Sequence, residues 1–201
     1  MSTIINASTS SGLVQTADTS GTLELQSNGT TMQTISSTGS YGQLKQAVAK
    51  TYTDATSSGT ILNFGSIPSW VKRITIVVSG LSTTGTANPL IQLGTAGGID
   101  SSNYLGASGN MTSSVAVANY TTGFGIFGSA QWLAANLLYG SLVLTNLTGN
   151  TWVASGNWSL SNNNTVGITA GTCALGGTLT QLQFITTNAF DAGSINILYE
   201  G

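Results

Sequence analysis

The sequence predicts an all-β protein: an antiparallel β-sandwich of jelly-roll type over residues 60–201, preceded by a short hairpin-rich segment. Three observations carry that expectation. Only 5% of the 201 residues are charged, against roughly 25% in an ordinary globular chain. Gly, Ser, Thr and Asn stand where Lys and Glu usually build helix surfaces, and these residues favour turns and strands. Apolar and polar residues alternate in one short segment after another, with turn signals between them. The chain is also 40% hydrophobic, with a mean hydropathy of +0.22. It can therefore bury a core, unlike a disordered chain of similar polarity.

Residues 1–12 are small and polar and read as an extended lead-in, with Ile4 and Ile5 as its apolar anchors. The pieces LVQTA, TLELQS and TTMQTIS follow, punctuated by Asp18-Thr19-Ser20-Gly21 and Ser27-Asn28-Gly29. Asn-Gly is a strong two-residue hairpin turn, because both residues tolerate positive φ. Leu23 and Leu25 alternate with Thr22, Glu24 and Gln26. One hairpin cannot bury such a face alone, so it is expected to pack on a neighbour or on another copy. Residues 1–42 thus read as an attachment and oligomerisation segment, and 43–59 as a linker. Within that linker QLKQAVAKTYTDA suits a short helix or an edge strand.

Residues 60–201 read as a knob of about eight or more strands. Trp70–Ser79 sets Ile74, Ile76 and Val78 against Thr75, Val77 and Ser79. Pro89–Leu93, Val115–Tyr120, Phe124–Phe127 and Ser141–Leu147 come next. Trp152–Leu160 sets Trp152, Ala154, Gly156, Trp158 and Leu160 against Val153, Ser155, Asn157 and Ser159. Asn162-Asn163-Asn164 turns the chain towards Val166–Thr172, and Leu179–Thr186 and Ser194–Tyr199 complete the set. The one rival helix is SAQWLAANLLY at 129–139, whose spacing fits either assignment. Ile74, Ile76, Leu144, Trp152, Leu182, Phe184 and Ile197 are the expected core.

Composition excludes much chemistry. There is no His, which removes Ser-His-Asp and Cys-His catalysis and histidine metal sites. Cys173 is alone, so neither an internal disulfide nor a cysteine metal cluster is expected, and folding in a reducing cytoplasm is. The basic residues are Lys45, Lys50, Lys72 and Arg73 and the net charge is −2, which gives no electrostatic case for nucleic acid. No apolar run approaches the ~20 residues of a membrane span, and the start lacks the basic and apolar regions of a secretory signal.

The acids are scattered; Asp191 and Glu200 are the one pair that could approach, across the terminal strand. A turn aspartate and a chain-end charge explain them better. Gly123-Phe124-Gly125-Ile126-Phe127-Gly128 matches the dinucleotide-site spacing, but glycine frequency alone yields about 0.4 such matches. The ribose-binding acid expected about twenty residues on is absent, and a strand explains the match better. Asp100–Asn103 and Asn162–Asn164 offer at most one carboxylate each, too few for a strong Ca²⁺ site, and read as turns. Sequons such as Asn146-Leu147-Thr148 follow from the Asn/Thr-rich composition. Trp70, Trp132, Trp152 and Trp158 could make a sugar-stacking platform, with packing as the default for aromatics on apolar strand faces. No catalytic, cofactor-binding or metal residue is assigned, and no cofactor.

Two regions resemble known sequences. LVQTADTSGTLELQSNGTTMQTIS resembles a segment recurring in tail-fibre and minor structural proteins of tailed bacteriophages. SIPSWVKRITIVVSGLSTTGT, LIQLGTAGG, GNTWVASGNWS and GTLTQLQFITTNAFDAGSINILYEG resemble, in that order, a domain at or near the C-terminus of such proteins. The resemblance implies a virion protein assembled in the host cytoplasm, a homotrimer with an N-terminal part that attaches to other capsid or tail proteins and a projecting β knob. Long fibres carry a collar-repeat shaft or adsorption module ahead of these segments. Without one, the expectation is a short head fibre, capsid decoration or tail-fibre component, not an enzyme. The alternative is a receptor-binding module whose knob recognises a host surface glycan.

Overall fold

Alternation in the sequence becomes strand after strand in the fold. A computed structural model describes residues 22–27, 29–36, 39–42, 45–52, 59–128 and 131–201. Every helix or strand among them is a strand. The lead-in at 1–12, the LVQTA piece, the turn at 18–21 and Asn28 lie outside the described residues. The chain divides into two units, Met1–Gln43 and Leu44–Gly201.

In the first unit, β1 (Leu23–Ser27), β2 (Thr30–Ser36) and β3 (Gly39–Gly42) form an antiparallel sheet in that order. Ser27 pairs with Thr30, so the hairpin closes over two residues. Gly29 there takes a φ of 75°, which glycine adopts without steric cost. Leu23 lies opposite Ile35, and Leu25 follows on the same face. Among the described residues of this unit the three side chains of that strip are each between 39% and 41% exposed.

The second unit holds β4 (Lys45–Tyr52), β5 (Ile61–Phe64), β6 (Arg73–Thr83), β7 (Leu90–Thr95) and β8 (Gly98–Ile99). It continues with β9 (Tyr104–Met111), β10 (Val115–Tyr120), β11 (Phe124–Gly125) and β12 (Leu138–Thr148). It ends with β13 (Thr151–Leu160), β14 (Thr165–Ala174), β15 (Gln181–Ile185) and β16 (Phe190–Glu200). One sheet runs β10-β9-β14-β13-β12-β6-β16-β4, the other β11-β7-β15-β5 with β8 on β7, and all pairings are antiparallel.

Set aside β4, β8, β16 and the β12–β13 hairpin, and number the remaining eight strands in chain order. The smaller sheet then reads 1-8-3-6 and the larger 2-7-4-5, the strand order of a jelly roll. The β12–β13 hairpin is inserted between the seventh and second strands, and β16 and β4 widen the sheet beyond them.

The two sheets close on one apolar core. Phe64, Ile91, Leu93, Leu182 and Phe184 face it from the smaller sheet. Ile74, Ile76, Leu144, Trp152 and Ile197 face it from the larger, and all seven expected core residues are buried. Tyr104 on β9 stitches the layers together. Its hydroxyl accepts from the Leu93 amide at 2.6 Å, and its ring meets Phe124 edge-on at 5.0 Å.

Two open assignments are decided, and strands form where none was expected. The linker expected at 43–59 is in part structural: Lys45–Tyr52 is β4, the edge strand of the larger sheet, hydrogen-bonded to β16. Backbone pairing with β16 decides what the local pattern left open. Among the described residues of 129–139 there is no helix. Residues 131–137 are turn and irregular chain, and β12 begins at Leu138. Trp132 is drawn into the core instead, its Nε1 donating to Thr83 Oγ1 at 2.7 Å. Finally, β3, β5, β8 and β9 lie outside the expected strands.

Candidate functional site

Asp191 is the second residue of β16 and Glu200 its last, nine residues apart, which at ~3.3 Å per residue separates them by roughly 30 Å. Asp191 accepts a hydrogen bond from Ser82 Oγ. Glu200 pairs with Arg73 at 3.5 Å. They do not form a carboxyl pair.

The Gly123–Gly128 match is explained by packing. Phe124, Ile126 and Phe127 are buried. A Cβ on Gly125 would lie 2.2 Å from the Tyr120 ring, and one on Gly128 2.5 Å from Ser108 O. Neither glycine fronts a cradle for phosphate.

Asp100 closes on its own turn. It accepts from the Ser102 and Asn103 amides at 2.9 and 3.1 Å and from Asn103 Nδ2 at 2.5 Å. Partial burial pushes its pKa up, but these hydrogen bonds prevail and hold it below the usual value. Asn162 and Asn163 point their amides at Ala135 O and Gln131 O, at 2.8 and 3.1 Å. Among the described residues no three His, Cys, Asp or Glu come together as a metal site would need.

Three of the four tryptophans are core, and Trp70 alone is exposed. Its neighbours Ser69, Val71 and Lys72 line a cleft with Asn146, Asn150 and Thr178, about 100 Å³ in volume. Ligand pockets usually reach ~300 Å³. Asn146 Nδ2 already donates to Gly149 O and Thr151 O, at 3.0 and 3.2 Å.

The feature that sequence reasoning missed is a face. At the β10-β9-β14 end of the larger sheet the usual polarity is inverted. Thr165, Thr169, Ser108 and Asn110 point inward and are buried. Leu105, Met111, Val115, Val117, Val166 and Ile168 point outward, between 47% and 76% exposed. A shift of one residue would exchange the faces, but the inward hydroxyls have partners that fix the register. Thr169 Oγ1 donates to Gly125 O at 2.6 Å, Trp158 Nε1 donates to Thr169 Oγ1 at 3.0 Å, and Ser108 Oγ donates to Gly125 O.

Register assembles the outward side chains into rows. Val115 pairs with Met111, which pairs with Val166, and Val117 pairs with Gly109, which pairs with Ile168. The side chains of Val117 and Ile168 lean over Gly109, within 3.7 Å of where its Cβ would be. The signal was in the sequence, since Val166 and Ile168 alternate with Thr165 and Thr169. Alternation alone does not say which side faces the core.

Comparison with protein-family models, curated proteins and solved structures finds no match to this chain.

Proposed function

We propose that the chain is a structural component of a bacteriophage particle, a short surface appendage on head or tail that acts as a homotrimer and not as an enzyme. The observation that carries this reading is the open apolar strip of Leu23, Leu25 and Ile35 on a lone three-stranded sheet. Three copies set around an axis bury such a strip without needing charges, of which the chain has few. The larger unit, a jelly roll, then serves as the projecting knob, and the N-terminal unit docks it to other capsid or tail proteins. The resemblance of both regions to tail-fibre and minor virion proteins supports the same reading.

Particles lacking the protein provide the test. Full-length chain should co-sediment with them, and chain lacking residues 1–43 should stay in the supernatant. All four tryptophans lie in the larger unit, so native fluorescence of the truncated chain verifies its fold. Co-sedimentation of the truncated chain would overturn the N-terminal anchor, and failure of both chains would overturn the virion reading. Recognition of a host glycan has less behind it, because exposed Trp70 adjoins a cleft of only about 100 Å³.

A further inference from the structure

We propose that the inverted outer face of β10, β9 and β14 is a contact between copies of this chain, packing against the same face of a second copy. The inference rests on the trimer proposed above and adds to it a second, separate interface, in the knob. Outward positions on β9, β10, β13 and β14 carry no charged residue. Two copies therefore meet without like-charge repulsion, whereas a charged partner would bury its charges against this face unpaired.

Area points the same way. At the stated exposures, and at about 150–200 Å² for each fully exposed residue, the six apolar residues offer roughly 600 Å² of water-accessible surface. Alanines 107 and 170 and the rim of Ser155, Asn157 and Asn119 extend it towards the ~800 Å² per partner of a standard interface. The composition is that of an interface centre, apolar and uncharged within a neutral polar rim. A monomer rarely leaves so large a contiguous apolar patch in water. The sheet holds these residues outward at the expense of burying Ser108, Asn110, Thr165 and Thr169. Stability of the knob alone would favour the opposite arrangement. Strand β10 completes the site: it is an edge strand whose sequence VAVANY has neither the Lys nor the Pro that usually blocks an edge.

Sedimentation equilibrium of the full-length chain across a wide concentration range tests this. The wild type is compared with Val117→Asp/Ile168→Asp and with Val117→Thr/Ile168→Thr, the latter keeping β-branched side chains in case the aspartates disturb the strands. Both sites are exposed, and tryptophan fluorescence shows whether each variant is folded. A face that packs on itself joins copies in pairs, so the wild type should form trimers linked to one another through it. This linkage should weaken about 100-fold or more for the aspartate pair and about tenfold for the threonine pair, leaving trimers. If wild type and both variants form trimers with the same dissociation midpoint, while Leu25→Asp weakens them, the face is not a self-contact and the trimer stands. If the wild type forms dimers that the face variants dissociate, the face stands and the trimer falls. A wild type that stays monomeric overturns both.

Discussion

Ile76→Ala, measured beside Val77→Ala, probes the sandwich on adjacent residues of one strand. Ile76 is fully buried on β6, in register with Leu142 on one side and Ile197 on the other, both fully buried too. Truncation removes three methylene-sized groups at ~0.8 kcal/mol each, roughly 2.4 kcal/mol of transfer free energy. Hydrogen-bonded strands on both sides keep the site from collapsing, so a cavity term adds to this and the expected cost is about 3–4 kcal/mol. Val77 points the other way and is 45% exposed, so its truncation should cost less than about 1 kcal/mol. Urea titration followed by tryptophan fluorescence reads both, with the slope unchanged. A cost below about half a kcal/mol for Ile76→Ala, or equal costs for the two, would refute the assignment of inner and outer faces.

Gly125→Ala should destabilise by about 1–3 kcal/mol, because the new methyl meets the Tyr120 ring, which is tethered by its hydroxyl to Phe127 O at 2.5 Å; thermal melts would show it. Tyr199 OH is buried without a hydrogen-bond partner among the described residues. Tyr199→Phe should therefore cost nothing and gain about 1 kcal/mol in the same titration. Burial pushes the Cys173 thiol up from 9.0 to about 11, so a thiol reagent at pH 8 should label the unfolded chain and spare the native one. A raised folded pKa contributes stability in full below the unfolded value, and that contribution is lost as pH rises through the folded one. Stability should thus decline between about pH 9 and pH 11, in a window that Cys173→Ala narrows.

The sequence made some strands plain and hid others for physical reasons. In β6, β13 and β16 the apolar residues face the core, so period-two alternation located both the strand and its buried side. In β4 the pattern suits helix and strand alike, and the deciding partner, β16, lies about 150 residues further along the chain. YLGASGNM does not read as a strand, because its small residues have weak strand preference and its inward positions include Ser108 and Asn110. Only the register shows that these are buried and that Leu105 and Met111 are not. The candidate face is hidden for the same reason: Val115–Tyr120 and Val166–Thr172 read as strands, but the side they face depends on which polar groups find partners inside. Asp191 and Glu200, close in sequence, are kept far apart by the extended strand between them.

Imaging of intact phage particles carrying a label on the knob tests the central claim most directly. The account predicts that the label projects from the particle surface at regular positions, in groups of three. Label confined to the lysate and absent from purified particles would contradict it.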